Sequence, residues 1–427
     1  SKVVTFLENR SYDQGPISLV QVKEILEDWL SNYPLPLNKV LIIPPDGTRA
    51  HSLAGPITNM LYKLLQPCEV RILPALGTHF PMTAEEKRVF FGSDIPLDAY
   101  IDHNWRNDVA TVGTIPAKFI EEVSDGLVNF SIKVDINKEL LHGGYDLILS
   151  VGQVVPHEVV GMANYTKNIV VGCGGKDIID KSHFLGAVYG MERLMGRDHS
   201  PVRQVFDYAE QRFLQDLPLA YILTVTETKG SSTTLEGLFI GNQREIFSNA
   251  VAKSQSCNLD LLREQIKKVV VYLDPNEFKS TWVGNKAIYR TRMAIATGGE
   301  LLILAPGVKL FGEDPEIDTL IRRYGYGGRD VILGQVENED DLKKNLSVAA
   351  HLIHGSSEGR FKVIYAVQHL TNEEITGVNF GYLPYAEGVA QYDPTRLQDG
   401  YNVVNGEEVF FISNPALGLW AMEKDFA

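Results

Sequence analysis

The chain has 427 residues, 44% of them hydrophobic and 22% charged, with a formal net charge of −14 at pH 7. That acidic balance argues against nucleic acid or an anionic membrane surface as partner, since both call for a basic field, and no apolar run approaches the roughly 20 residues of a membrane span. The three cysteines, Cys68, Cys173 and Cys257, are too scattered for a disulfide framework, which points to a reducing compartment.

The length predicts two domains. The opening SKVVTFLENRSYDQG is polar and has no signal-peptide core, so a cytoplasmic protein is expected. Short β-branched runs then alternate with helix-length stretches: VLIIP from Val40, VRILPAL from Val70, YDLILSVG from Tyr145, NIVVGCGG from Asn168 and AYILTVTE from Ala220. Apolar runs of this length, bounded by Gly and Pro, predict buried parallel strands. KVVVYLD, ELLILAPG, DVILG and FKVIYAV repeat the style in the second half, and LDLLREQIKK after Asn258 reads as a helix that joins the halves. The expected fold class is α/β: two α/β domains with mainly parallel sheets and an active-site cleft between them. The N-terminal domain is placed at 1–262, with 396–427 returning to it, and the domain that closes the cleft at 263–395.

Ligand crevices of parallel sheets lie beyond the carboxyl ends of the strands, and several reactive side chains follow such ends. VLIIP runs into PDGTRAHS, which carries Asp46, Thr48, Arg49 and His51. VRILPAL runs into GTHFPMTAEEK, where Thr83 and Glu86 form a capping box and leave His79 in the loop before the helix. YDLILSVG runs into QVVPHEVVG with His157. Lys167 comes just before the next run, and His183 lies about two turns into the helix that follows GCGGKD. Gly174 and Gly175 of that turn, with the helix start, could cradle a phosphate through backbone N–H groups. Taken singly, each residue has an ordinary use: a histidine as a hydrogen-bonding group, Lys167 as a solvated charge, Arg49 as an ion-pair partner, GCGG as a tight turn. Their shared sheet edge makes them a site. His103, His142, His199, His351, His354 and His369 lack that context and are read as structural.

The DGTR turn, the GTHFPMTAEE loop, the PH dipeptide followed ten residues later by a lysine, the histidine sixteen residues further on and the lysine in TWVGNKAIYRTRMA together resemble the nickel-pincer lactate racemase family. Its members are α-hydroxyacid racemases and epimerases that carry a pyridinium-3-thioamide-5-thiocarboxylate mononucleotide bound to nickel. The resemblance implies that Lys167 is the covalent tether of this cofactor and that His183 is the nickel ligand contributed by the protein. It implies that His79 and His157 are acid-base groups on opposite sides of the substrate. Asp46, Thr48, Gly174 and Gly175 fall on the cofactor side, and Arg49, Trp282 and Lys286 on the substrate side. It also implies partners: a small α-hydroxy acid as substrate, and cofactor-biosynthesis proteins for maturation.

The chemistry suits this residue set. Deprotonating carbon beside a carboxylate would gather two negative charges, more than a histidine can drive; removing hydride instead gives a planar 2-keto acid that can be reduced on either face. Three departures from the lactate-acting pattern stand out. GMANYTK replaces a glycine-rich stretch before the lysine, the first turn reads DGTRAHS and so adds His51 and Ser52, and Trp282 and Val283 stand where a tyrosine-glutamine pair is usual. An altered pocket lining predicts a larger substrate than lactate, an aldonate such as gluconate, epimerized to mannonate. Lactate racemization by the same mechanism is the nearest alternative. A zinc hydrolase or lyase using His79, His157 and His183 as ligands, and a non-catalytic hydroxy-acid binder, are the readings from other classes.

Overall fold

The computed structural model describes residues 7–416 and 418–426, and it is an α/β structure in two units. Residues 7–185 with 194–258 form the first, and 186–193 with 259 onward form the second.

The first unit contains β1 (Arg10–Tyr12), β2 (Lys39–Ile43), β3 (Glu69–Ile72), β4 (Val109–Ile115), β5 (Ile132–Asn137), β6 (Leu147–Gln153), β7 (Pro156–His157), β8 (Gly161–Met162), β9 (Leu219–Lys229) and β10 (Ser232–Gly241). Six of them form one sheet in the order β1-β10-β9-β6-β2-β3. β9, β6, β2 and β3 run parallel, while β10 returns as an antiparallel hairpin on β9 and carries β1 on its outer edge. β4 with β5 and β7 with β8 are separate antiparallel ribbons. On the central strands Val40, Ile42, Leu147, Leu149, Ala220 and Ile222 are buried, and they share a core with Val22, Leu26 and Trp29 of the helix Leu19–Ser31 and Ile57 and Leu61 of the helix Ala54–Leu64. Strands covered on both faces read as continuous apolar runs rather than alternating ones, which is why the sequence displays them. β2, β3 and β6 share one carboxyl edge, and the three loops leaving it carry Asp46, His79 and His157.

Two apolar runs fold otherwise than expected. NIVVGCGG is not a strand: Thr166–Val170 is a short helix, and the glycines after it form a turn. Gly172 packs so closely that a Cβ there would lie 2.3 Å from the Asn168 carbonyl oxygen and 2.5 Å from the Ala75 Cβ. A short run buried on every side looks the same in either periodicity, and here local backbone packing decides. DVILG likewise belongs to the helix Arg329–Asn338.

The second unit holds β11 (Leu259–Leu262), β12 (Ile266–Tyr272), β13 (Ile295–Ala305), β14 (Lys362–Val367), β15 (Gly381–Pro384), β16 (Gly400–Val404), β17 (Glu407–Ile412) and β18 (Leu419–Met422). Its sheet runs β15-β14-β13-β12-β17-β16, parallel except for β16. The expected joining helix is instead strand: LDLLREQIKK supplies β11 and the start of β12, and the helix ends before it at Asn258. The expected return of 396–427 to the first domain does not occur. β17 pairs with β12, and β18 pairs in parallel with β11, so the chain end completes the second unit. Both outcomes come from pairing between strands some 150 residues apart, which local sequence does not encode.

Leu149 is fully buried in the center of the first sheet. Leu149→Ala is expected to lower the stability of this unit by about 2–5 kcal/mol, seen as an earlier urea unfolding transition with near-native circular dichroism before it.

Candidate functional site

At the first turn, Asp46 caps the 3-10 helix Gly47–Ser52 by accepting the Thr48 amide hydrogen at 3.1 Å, and it also accepts a hydrogen bond from the Thr48 hydroxyl. Its other carboxylate oxygen lies 3.3 Å from Nδ1 of His79. Burial pushes the Asp46 carboxyl up, but the hydrogen bonds from His79 and Thr48 and the charge of His79 outweigh it and bring its pKa down to about 2. A carboxylate on Nδ1 fixes the tautomer: Nδ1 carries the hydrogen and Nε2 keeps its lone pair. His79 is exposed, at the entrance of the helix Ala84–Phe91, whose Thr83/Glu86 capping box is formed.

His157 is buried on β7, and its Nδ1 accepts the backbone N–H of Val159 at 3.0 Å. Its neutral ring therefore carries hydrogen on Nε2, the opposite arrangement to His79. Burial, followed by the charges of Lys167, Arg49 and His183, holds its pKa well below the ordinary imidazole value, with Glu158 opposing. His183, in the helix Lys176–Tyr189, points Nδ1 at the Ile179 carbonyl oxygen, 2.5 Å away. That contact leaves Nε2 bare, the form in which a histidine binds a metal, and burial holds this ring neutral too.

Lys167 stands in the first turn of Thr166–Val170, half-buried in the wall of the same cavity. Its amine makes no hydrogen bond or ion pair among the described residues. Burial first, then the charges of Arg49 and Arg203, bring its pKa down to about 7. Arg49 also lines the cavity and, among the described residues, has no side-chain partner. Asp46, Thr48, Arg49, His79, His157, Lys167 and His183 thus line one cavity of about 210 Å³, together with Thr78, Gln153, Asn164 and Asn168.

The turn that presents Lys167 is strained. Asn164 and Tyr165 both take positive φ, 67° and 55°, where side chains other than glycine are disfavored. The buried guanidinium of Arg203 holds it there, donating to the carbonyl oxygens of Met162 (2.7 Å) and Asn164 (3.0 Å) and to the Thr166 hydroxyl (2.7 Å). Tyr165 stacks on Phe247 with ring centroids 4.7 Å apart. Gly152 supplies the room, since a Cβ there would sit 1.8 Å from Nδ2 of Asn164. Sequence reasoning missed Arg203, Gln153, Asn164 and Asn168. Only Asn164 left a signal, as a residue type that tolerates left-handed backbone in place of the missing glycine.

Four other expected residues of this unit do not line the cavity. Gly174 and Gly175 do not line the cavity. A Cβ on Gly174 would meet the Val170 carbonyl oxygen at 1.9 Å, and one on Gly175 would meet Asp135 at 2.8 Å, so these glycines serve close packing against β5. The Gly174 carbonyl accepts from His103, giving that histidine a structural role. His51 faces Thr233 at 3.2 Å, and Ser52 donates to the Arg49 carbonyl oxygen; neither lines the cavity. Trp282 and Lys286 belong to the second unit, in the short helices Thr281–Gly284 and Lys286–Tyr289, with Trp282 packed 4.2 Å from the His351 ring. Among the described residues, no group of three His, Cys, Asp or Glu side chains is arranged to hold a metal ion. The three-histidine zinc set is therefore not formed: Nε2 of His157 carries hydrogen, and His79 stands at the exposed rim. No described helix is long and apolar enough to cross a membrane.

Residues 2–194 match the lactate racemase N-terminal domain family. A protein from Thermotoga maritima of known crystal structure superposes with a TM-score of 0.79 at 24% identity, over 96% of this chain and 100% of that one. The lactate racemase apoprotein from Thermoanaerobacterium thermosaccharolyticum superposes with a TM-score of 0.67 at 17% identity, over 93% of this chain and 92% of that one. At these identities the two structures show a shared fold. A comparison with curated protein sequences gives no match.

A half-buried amine whose pKa falls from 10.5 to about 7 destabilizes the fold. The unfolded chain keeps its proton up to pH 10.5 while the folded chain gives it up near 7, so the penalty is full below pH 7 and declines as pH rises from 7 to 10.5. Lys167→Met in the cofactor-free chain is expected to raise the melting temperature, by more at pH 6 than at pH 9. Equal gains at both pH values would show an ordinary lysine.

Proposed function

We propose, from the match of residues 2–194 to the lactate racemase N-terminal domain family, that the chain is a racemase or epimerase that inverts C2 of an α-hydroxy acid by reversible hydride transfer. The observation that carries this reading is the Lys167 amine: half-buried, without a partner among the described residues and about half unprotonated near pH 7, it shares one cavity with a histidine whose Nε2 is bare.

These residues fit a tethered nickel-pincer mononucleotide. Lys167 has an amine that loses its proton near neutral pH, as an amide-type linkage requires, and His183 offers one imidazole donor oriented by a backbone carbonyl. Among the described residues no group of three His, Cys, Asp or Glu side chains is placed to hold a metal ion, which suits a metal whose other ligands come from the organic group. When bound, the group supplies a hydride acceptor, so that C2 becomes planar without passing through a carbanion.

The protein's own part is positioning, charge and proton transfer. Arg49 is the cation available to the substrate carboxylate, and its planar guanidinium can take both oxygens. His79, with hydrogen on Nδ1 held toward Asp46, receives the hydroxyl proton at Nε2, and the charge it acquires is met by Asp46. His157 enters differently. Its Nε2–H donates to the substrate oxygen, and to serve as a second base it must give up its bond from Val159. The two histidines are thus unequal in the cofactor-free chain. The cavity wall also carries Thr48, Thr78, Gln153 and Asn164, polar groups that suit the additional hydroxyls of an aldonate better than the methyl of lactate. His51 and Ser52, turned away from the cavity, give no support to that choice.

The test uses the cofactor-loaded protein from its own host and substrates deuterated at C2. Gluconate is expected to turn over faster than lactate, malate or phenyllactate, and the C2 label is expected to survive inversion in water. Arg49→Gln is expected to cost at least tenfold in kcat/KM. Turnover of lactate alone would remove the sugar-acid assignment, and loss of the label to solvent would remove hydride transfer.

A further inference from the structure

A second charged cavity, of about 610 Å³, is built wholly from residues of the second unit and shares none with the first. Arg193, Arg292, Arg329 and Arg360 line it, with Glu192, Asp330 and Glu358. Four arginines against three carboxylates leave a local excess of positive charge in a chain whose net charge is −14.

The carboxylates are poorly placed to neutralize these cations. Glu192 serves two guanidinium groups, Arg292 at 3.1 Å and Arg360 at 3.7 Å, and is itself 45% exposed. Asp330 stands 3.6 Å from Arg329 and is almost fully exposed. Glu358 is spent on the backbone N–H of Arg329, at 2.9 and 3.2 Å. Backbone carbonyls instead fix the guanidinium groups. Arg292, 6% exposed, donates through Nη1 to the carbonyls of His354 (3.2 Å) and Ser356 (3.0 Å). Arg360 donates to the carbonyls of Ile295 and Arg292, and Arg329 to that of Val188 at 3.2 Å. Carbonyls orient a cation without cancelling its charge. Among the described residues, Nη2 of Arg292, Nη2 of Arg329 and Nε of Arg360 have no hydrogen-bond acceptor.

We propose that this cavity binds a small phosphorylated organic molecule. Unspent N–H groups on three separately anchored guanidinium groups suit a tetrahedral dianion, which accepts from several directions, better than a planar carboxylate. Tyr189, Met191 and Ile353 supply an apolar wall for the organic body, and the volume lies within the roughly 300–1,000 Å³ usual for ligand sites. Burial first, then the charge of Arg292, disfavors the charged form of Arg360, with Glu192 opposing; a bound dianion relieves that strain.

The test is calorimetric titration of the full chain with phenyl phosphate, and with benzoate as a planar anion of the same ring. One phenyl phosphate per chain is expected, held at least tenfold more tightly than benzoate and weakened by added salt. Arg329→Gln and Arg360→Gln should each weaken it at least tenfold. Arg329, 41% exposed with one carbonyl contact, can be replaced without loss of the fold, as an unchanged melting temperature would show. Arg49→Gln in the first cavity should leave binding intact. Absence of saturable binding, binding lost in Arg49→Gln but kept in Arg329→Gln, or benzoate binding as tightly as phenyl phosphate would each overturn the proposal.

Discussion

A half-buried amine given no carboxylate to pair with stays where it is only because its backbone cannot move away. Lys167 meets that condition through the turn before it. Asn164 and Tyr165 are held at positive φ by three hydrogen bonds from Arg203, a residue that never touches the cavity. Strain of order 1–3 kcal/mol per residue is tolerable where the surroundings over-determine the conformation, and here a buried guanidinium, a stacked tyrosine and a glycine at 152 do so. The low amine pKa follows from this burial and from the nearby charges of Arg49 and Arg203.

Around that fixed amine, hydrogen bonds that leave the cavity set the state of each histidine. Asp46 places hydrogen on Nδ1 of His79, Val159 denies it to Nδ1 of His157, and the Ile179 carbonyl places it on Nδ1 of His183. One ring becomes a base, one a donor and one a bare ligand, although all three are chemically the same side chain. The parallel strands β2, β3 and β6 end together, and so bring Asp46, His79 and His157, which are far apart in the chain, to one edge.

Much of this was legible in the sequence. Strands covered on both faces announce themselves as apolar runs, and the rule that sites follow strand ends singled out Asp46, Arg49, His79 and His157. The capping box at Thr83 and Glu86 placed His79 beside a helix entrance. What stayed hidden depended on contacts far along the chain. Nothing near Arg203 tells it from the other arginines of an ordinary amphipathic helix, and its meaning appears only when the turn 40 residues earlier is laid against it. Gly174 and Gly175 looked like a phosphate cradle because a glycine needed for close packing and one needed for ligand approach are the same letter. The strand LDLL and the closing strands 400–422 pair across most of the second unit, so local pattern assigned the first to a helix and the last to the wrong unit.

The central claim is that Lys167 and His183 have separate duties, one as tether and the other as metal ligand. Peptide mass spectrometry with nickel analysis, on the chain and its variants purified from the native host, tests it most directly. The account predicts a nucleotide-sized mass increase on the Lys167 peptide with about one nickel per chain, and retention of the adduct with loss of nickel in His183→Ala. An unmodified Lys167 in catalytically active protein would contradict it.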